Sequence, residues 1–124
     1  MELITDKGKI EIKNLTPHSI DVLNGRDEVV FTLSGSNNPP RVQENIYGQE
    51  EFLINGGQSL NIFIAHNDSV DKLPQKQEGV YYIVGRIIAE QFKERDDLLV
   101  PHEFVRNEDG DILGCRSFKL IAKG

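Results

Sequence analysis

Tryptophan is absent from this chain, and cysteine occurs once, at Cys115, so no intramolecular disulfide and no cysteine-rich zinc site can form. The fold has to hold by packing. No segment approaches the ~20 consecutive apolar residues that a bilayer-spanning helix requires, which sets aside a membrane protein. The start, Met1 to Asn14, mixes acids and bases before any apolar run and so lacks the pattern of a secretory signal. A cytoplasmic protein is therefore expected. Positive charge is also scarce: fourteen Lys and Arg face twenty Asp and Glu, a formal charge of -6. Long nucleic acids are disfavoured as partners, because their binding depends on basic side chains displacing counterions. The sequence contains neither Gly-x-x-x-x-Gly-Lys-Ser/Thr nor Gly-x-Gly-x-x-Gly, so both common phosphate cradles are missing. The three histidines, His18, His66 and His102, show no metal-ligand spacing. Neither a metal nor another cofactor is expected.

What is present is β-like alternation over a length of 124 residues, which fits one domain, 1–124. Ile10 and Ile12 alternate with Lys9, Glu11 and Lys13; after Thr16-Pro17 the pattern resumes at Ile20 and Val22. Asn24-Gly25 then suits a tight hairpin turn, so consecutive antiparallel strands are expected through Leu33. Residues 41–54 and 55–65 continue in the same style, with Asn55 to Gln58 as a turn, Leu60, Ile62 and Ile64 expected inward and Phe63 on the other side. Leu53 and Phe63, off the core face, point to a second buried layer within or between protomers, and a homo-oligomer is expected. The polar stretch 66–79 reads as a loop. Val80 to Val84 is β-branched and aromatic, and residues 86–95 form the best helix candidate, followed by a last hairpin turning at Asp109-Gly110. The expected class is α+β: a mostly antiparallel β-sheet, as a sandwich or partly open barrel, with one main helix near 86–95.

The candidates for chemistry are mostly arginines. Arg116 shares parity with Ile112, Phe118 and Leu120, so a regular strand would aim its guanidinium at the apolar face, and Arg106 stands likewise to Phe104. A charge so placed needs a carboxylate, a ligand anion or an interface, because burying it alone costs several kcal/mol. Arg86 follows closely on Tyr81 and Tyr82, whose rings are suited to stack on a planar ligand. The alternative for each arginine is an ordinary exposed or ion-paired side chain. His18, in Asn-Leu-Thr-Pro-His-Ser-Ile, is either a ligand contact or part of the turn chemistry of a corner. Cys115 between Gly114 and Arg116 reads as a small core residue rather than a nucleophile. Asp96 and Asp97 read as solvating or capping residues.

Taken together, Asn14 to Ile20, Pro39-Pro40-Arg41-Val42, Leu73 to Gly85 and Arg95 to Phe118 resemble a family of small uncharacterised phage and bacterial proteins in which these motifs recur in this order. The resemblance spans nearly the whole chain. It marks Asn14, Thr16, His18, Arg41, Tyr82, Asp97, Arg106, Cys115 and Arg116 as positions to watch. One departure is Gly85, where the family has a serine after Tyr82-Ile83-Val84. By general character the chain is also similar to the sponges with which phages sequester host immune signalling nucleotides; that likeness implies the host cytoplasm.

The leading expectation is a non-enzymatic protein that binds a small anionic, nucleotide-like ligand through His18, Arg41, Tyr82, Arg86, Arg106 and Arg116. The alternatives are a structural or protein-interaction module, in which these arginines pair with the abundant carboxylates, and a hydrolase using His18 with an aspartate or Cys115.

Overall fold

A computed structural model describes residues 1–122, and the side chains of all of these except residues 67 and 68. Strands make up 57% of the chain and helix 5%, so the protein is mostly β. The strands are β1 Glu2–Thr5, β2 Gly8–Asn14, β3 Ile20–Leu23, β4 Val29–Leu33, β5 Arg41–Ile54, β6 Gln58–Asp71, β7 Val80–Ile83, β8 Leu98–Arg106 and β9 Ile112–Leu120; the helix α1, Arg86–Gln91, lies between β7 and β8. The chain divides into two compact units, residues 1–40 with 72–124, and the hairpin 41–71. Every buried apolar residue among those described belongs to the first unit, here called the body.

The body is a seven-stranded sheet in the order β1-β2-β7-β8-β9-β3-β4, curled into a half-barrel. The expected β3–β4 and β8–β9 hairpins form, with Val22 opposite Phe31 and His102 opposite Ser117. The expected pairing of β2 with β3 does not. Instead β2 lies parallel to β7, β7 parallel to β8, and β3 parallel to β9, so the seven-stranded sheet is mixed rather than mostly antiparallel. The short link from Asn14 to Ile20 therefore carries the chain between separated positions in the sheet, and α1 serves as the crossover between parallel neighbours. β1, which composition gave no reason to expect, pairs with β2 across a turn at Thr5 to Gly8.

The core is centred on Ile12, Val22, Leu33 and Ile83, with Phe31, Leu99 and Phe118 packed on its margin. Ile83 is fully buried; enclosing a side chain of that size stabilises the fold by ~1.5–3 kcal/mol. Two glycines permit the closest backbone approaches. A Cβ at Gly114 would collide with the Asp21 carbonyl across β3–β9, and one at Gly35 would come within 2.7–2.9 Å of Pro17 and His18 backbone atoms.

The helix is shorter than expected, ending at Gln91 rather than reaching 95. Ile88 and Ala89 are its buried residues, and Phe92 and Arg95 follow in tight turns through Phe92 N–H to Ala89 O and Arg95 N–H to Phe92 O. Arg95 is then committed elsewhere: its Nε and Nη2 donate to the two Asp97 oxygens at 2.8 and 2.6 Å, and Nη1 donates to Pro74 O at 3.0 Å.

In the second unit, β5 and β6 pair along their whole length, from Arg41–Asp71 to Ile54–Gln58. β6 thus runs on to Asp71, and the expected loop shrinks to residues 72–79. The parity of Leu60, Ile62 and Ile64 against Phe63 is as expected, but none points inward; all four are exposed. Alternation defines the two sides of a strand, not whether either side is covered.

Candidate functional site

The turn at Asn14 to His18 is organised by one buried side chain. Asn14 Nδ2 donates to the carbonyls of His18 (2.7 Å) and Leu33 (3.1 Å), while Oδ1 accepts from the Thr16 N–H (3.0 Å) and hydroxyl (2.7 Å). All four hydrogen-bonding positions of the amide are filled. The Thr16 carbonyl accepts from Ser36 N–H at 2.7 Å, anchoring the corner to the chain after β4. Asparagine and threonine are thus accounted for by turn geometry. His18 contributes its carbonyl to that network, and its exposed imidazole is left outside it.

That imidazole borders a cavity of about 500 Å³ in the body. Its walls are apolar: Ile20 from β3, Val84 after β7, Val100, Pro101 and Phe104 from β8, and Ile112 from β9. Thr16, His18, Gly85 and Arg86 complete its lining. Arg86 opens α1, where its Nε donates to Glu90 Oε1 at 2.9 Å, one helical turn on. The rest of the side chain is largely exposed. Gly85 has an ordinary extended backbone, and a Cβ there would meet nothing within 4 Å. A side chain at this position would fit without moving the backbone.

Of the six proposed ligand contacts, this cavity gathers His18 and Arg86. Tyr82 is only 1% exposed, with its hydroxyl 3.5 Å from the Gln75 carbonyl, so its ring face is not open to a ligand. Arg41 lies in the hairpin unit, where its N–H donates to Asp71 Oδ1 at 3.1 Å. Arg106 is exposed and its Nη1 closes the following turn on Gly110 O at 2.8 Å. Arg116 pairs with Asp27 through Nη2 and through Nε at 3.2 Å. The expected inward course of Arg106 and Arg116 is therefore not realised. Arg116 does share the side of β9 that Phe118 turns to the core, but its side chain is exposed and paired with Asp27.

The apolar walls were the part missed by sequence reasoning. Phe104 and Ile112 were recognisable as same-face apolar residues of one hairpin; nothing local reveals that about half of each stays exposed. Cys115 sits beside a smaller adjoining cavity but is almost fully buried, and burial pushes its thiol up from its ordinary value. A thiol held in its protonated form is a poor nucleophile. Among the described residues no three His, Cys, Asp or Glu side chains come together as a metal site, and no buried side-chain N or O lacks a hydrogen bond.

A second, more polar hollow of about 470 Å³ lies between the 76–81 segment and Asp96-Asp97. Here Lys76 pairs with Asp96, raising the lysine and lowering the carboxyl from their usual values through their mutual hydrogen bond. With the Arg95–Asp97 pair and the Pro74 contact, these groups tie the 72–79 loop to the segment around residues 95–97 and, among the described residues, leave no free cation in the hollow. Comparison with protein-family models, with curated proteins and with solved structures finds no match.

Proposed function

We propose that the protein is a non-enzymatic binder of a small, nucleotide-like anion, held in the cavity between His18 and Arg86 and sequestered rather than transformed. The observation carrying this reading is the placement of the exposed Arg86 guanidinium, whose one ion pair among the described residues is with Glu90, and of the His18 ring at the edge of an otherwise apolar cavity. A planar, weakly polar base is suited to the Pro101 and Phe104 walls, and a phosphate to the guanidinium, which offers charge-assisted, two-pronged hydrogen bonds. The volume lies within the range of about 300–1,000 Å³ usual for small-ligand sites. Two features favour binding over turnover: the imidazole of His18 has no carboxylate partner among the described residues, and the Cys115 thiol is buried.

The test is a thermal-shift and calorimetric panel of linear and cyclic nucleotides. A saturable rise in Tm is expected for at least one member, since ligand bound only to the native state stabilises it by mass action. Arg86→Ala, which gives up only an exposed pair with Glu90, should weaken that binding by about tenfold or more. A flat panel, or binding indifferent to both Arg86→Ala and His18→Ala, would refute the proposal.

A further inference from the structure

The hairpins β3–β4, β8–β9 and β5–β6 each turn at an asparagine, and the last of these side chains is used differently from the other two. In the β3–β4 turn, Asn24 Oδ1 accepts from Arg26 N–H at 2.9 Å and Glu28 N–H at 3.1 Å, while Nδ2 donates to Glu28 Oε1 at 3.2 Å. Asn107 repeats the device between β8 and β9, its Oδ1 accepting from Asp109 N–H at 2.9 Å and Asp111 N–H at 3.0 Å. Both carboxamides staple their turns, an ordinary task of asparagine at a corner.

Asn55, between β5 and β6, is exposed, and no hydrogen bond holds its side chain among the described residues. Here the turn is closed by backbone alone, Gly57 N–H donating to Ile54 O at 3.2 Å. The next residue, Gly56, has a φ of +92°, and a Cβ built on it would meet nothing within 4 Å. With no side chain of its own to shield it, the Gly56 nitrogen stands open on the asparagine side. The sequence holds two Asn-Gly pairs, Asn24-Gly25 and Asn55-Gly56, so the stapled turn is an internal control for the open one.

We infer that Asn55 is a site of spontaneous modification, deamidating through a cyclic imide while Asn24 is protected. The Gly56 nitrogen, giving its proton to a base in solvent, attacks Asn55 Cγ; the N–Cγ bond forms, the Cγ–Nδ2 bond breaks, and Nδ2 leaves as ammonia with a proton from water. The imide then takes up a water molecule. Opening at Cγ leaves aspartate, and opening at the Asn55 main-chain carbonyl leaves isoaspartate, so amide and water are exchanged for acid and ammonia without any redox change. Either product adds a carboxylate to a hairpin that already carries Glu50 and Glu51. Isoaspartate also lengthens the main chain of the short loop between Ile54 and Gln58, which loosens their pairing. At Asn24 the same attack requires Oδ1 to release both backbone donors and Nδ2 to release Glu28, so it waits on opening of the turn.

The test is incubation of the full chain in mildly alkaline buffer at physiological temperature, followed over time by peptide mass mapping. Asn55 should convert about tenfold faster than Asn24 or more, because the hydrogen bonds at Asn24 have to break first. Part of the product should be isoaspartate. A more acidic band should grow on isoelectric focusing, and Asn55→Gln, which keeps the amide but places its carbon one bond farther from the Gly56 nitrogen, should abolish it. In denaturant the staple at Asn24 is gone, and the two Asn-Gly pairs should convert at similar rates. Conversion of Asn24 as fast as Asn55 in the folded chain, an acidic band that persists in Asn55→Gln, or a ratio of rates unchanged by unfolding would overturn the inference. So would an Asn55 that stays intact in the folded chain while converting in denaturant.

Discussion

The hairpin β8–β9 in the body and the hairpin β5–β6 outside it are written in similar language, with alternating apolar residues on either side of a glycine-containing turn. Their fates differ. In the first, Leu98, Val100, Val105 and Cys115 are buried because β7 and β3 flank the pair and α1 contacts β8. In the second, Phe52, Leu60, Ile62 and Ile64 remain near half exposure, with no third strand beside them among the described residues. The difference shows that apolar alternation supplies a surface to be covered, while neighbours in the fold decide whether one chain covers it.

The largest test of this contrast is truncation of matched apolar residues. Ile83→Ala in the body should cost about 3–5 kcal/mol by denaturant unfolding, since a cavity replaces a fully buried side chain. Leu53→Ala, at 76% exposure on the polar face of the hairpin, should stay within about 0.5 kcal/mol. Equal costs would mean that the two regions share one cooperative core after all.

Charges should divide the same way. Asp97→Ala strands the largely buried Arg95 guanidinium and should cost about 3 kcal/mol, with the 72–79 segment becoming the first site of proteolysis. Glu51→Ala in the hairpin should be within about 0.5 kcal/mol in the same unfolding measurement. A small loss for Asp97→Ala would show that the loop is held by other contacts.

The smallest effect concerns pH. Because burial raises the Cys115 thiol in the folded state, the native form holds its proton more tightly than the unfolded chain. Its contribution is complete below the ordinary thiol range and is lost as pH rises through the raised value. Stability should therefore decline on the alkaline side, and Cys115→Ala should flatten that limb of the curve. In the wild type, thiol labelling at neutral pH should be slow and should track global unfolding. Rapid labelling of the native protein would place Cys115 nearer solvent than its burial indicates.

Much of the local structure was legible because its causes are local. Asn24-Gly25 and Asp109-Gly110 turn where expected, β7 follows its β-branched and aromatic composition, and α1 starts at Arg86. The end of α1 was not legible, since it is set by Arg95 reaching Asp97 and, from the loop before β7, the Pro74 carbonyl. The parallel pairings were equally hidden: β2 meets β7 across more than sixty residues of chain, and no short-range pattern records such a partner. For the candidate site, His18 and Arg86 could be nominated from the sequence, but their meeting around Phe104 and Ile112 could not.

By itself the sequence settled what each stretch of backbone prefers: alternation and turn residues act over a few bonds, so strands, corners and the short helix carry their own instructions. Composition settled that the fold stands without disulfides. Tertiary structure alone decided which strands lie side by side, which apolar faces are covered, and that Arg116 turns to Asp27 while Arg86 borders a cavity. Parity assigns a side chain to one side of a strand; what waits there is supplied by distant segments brought together only on folding.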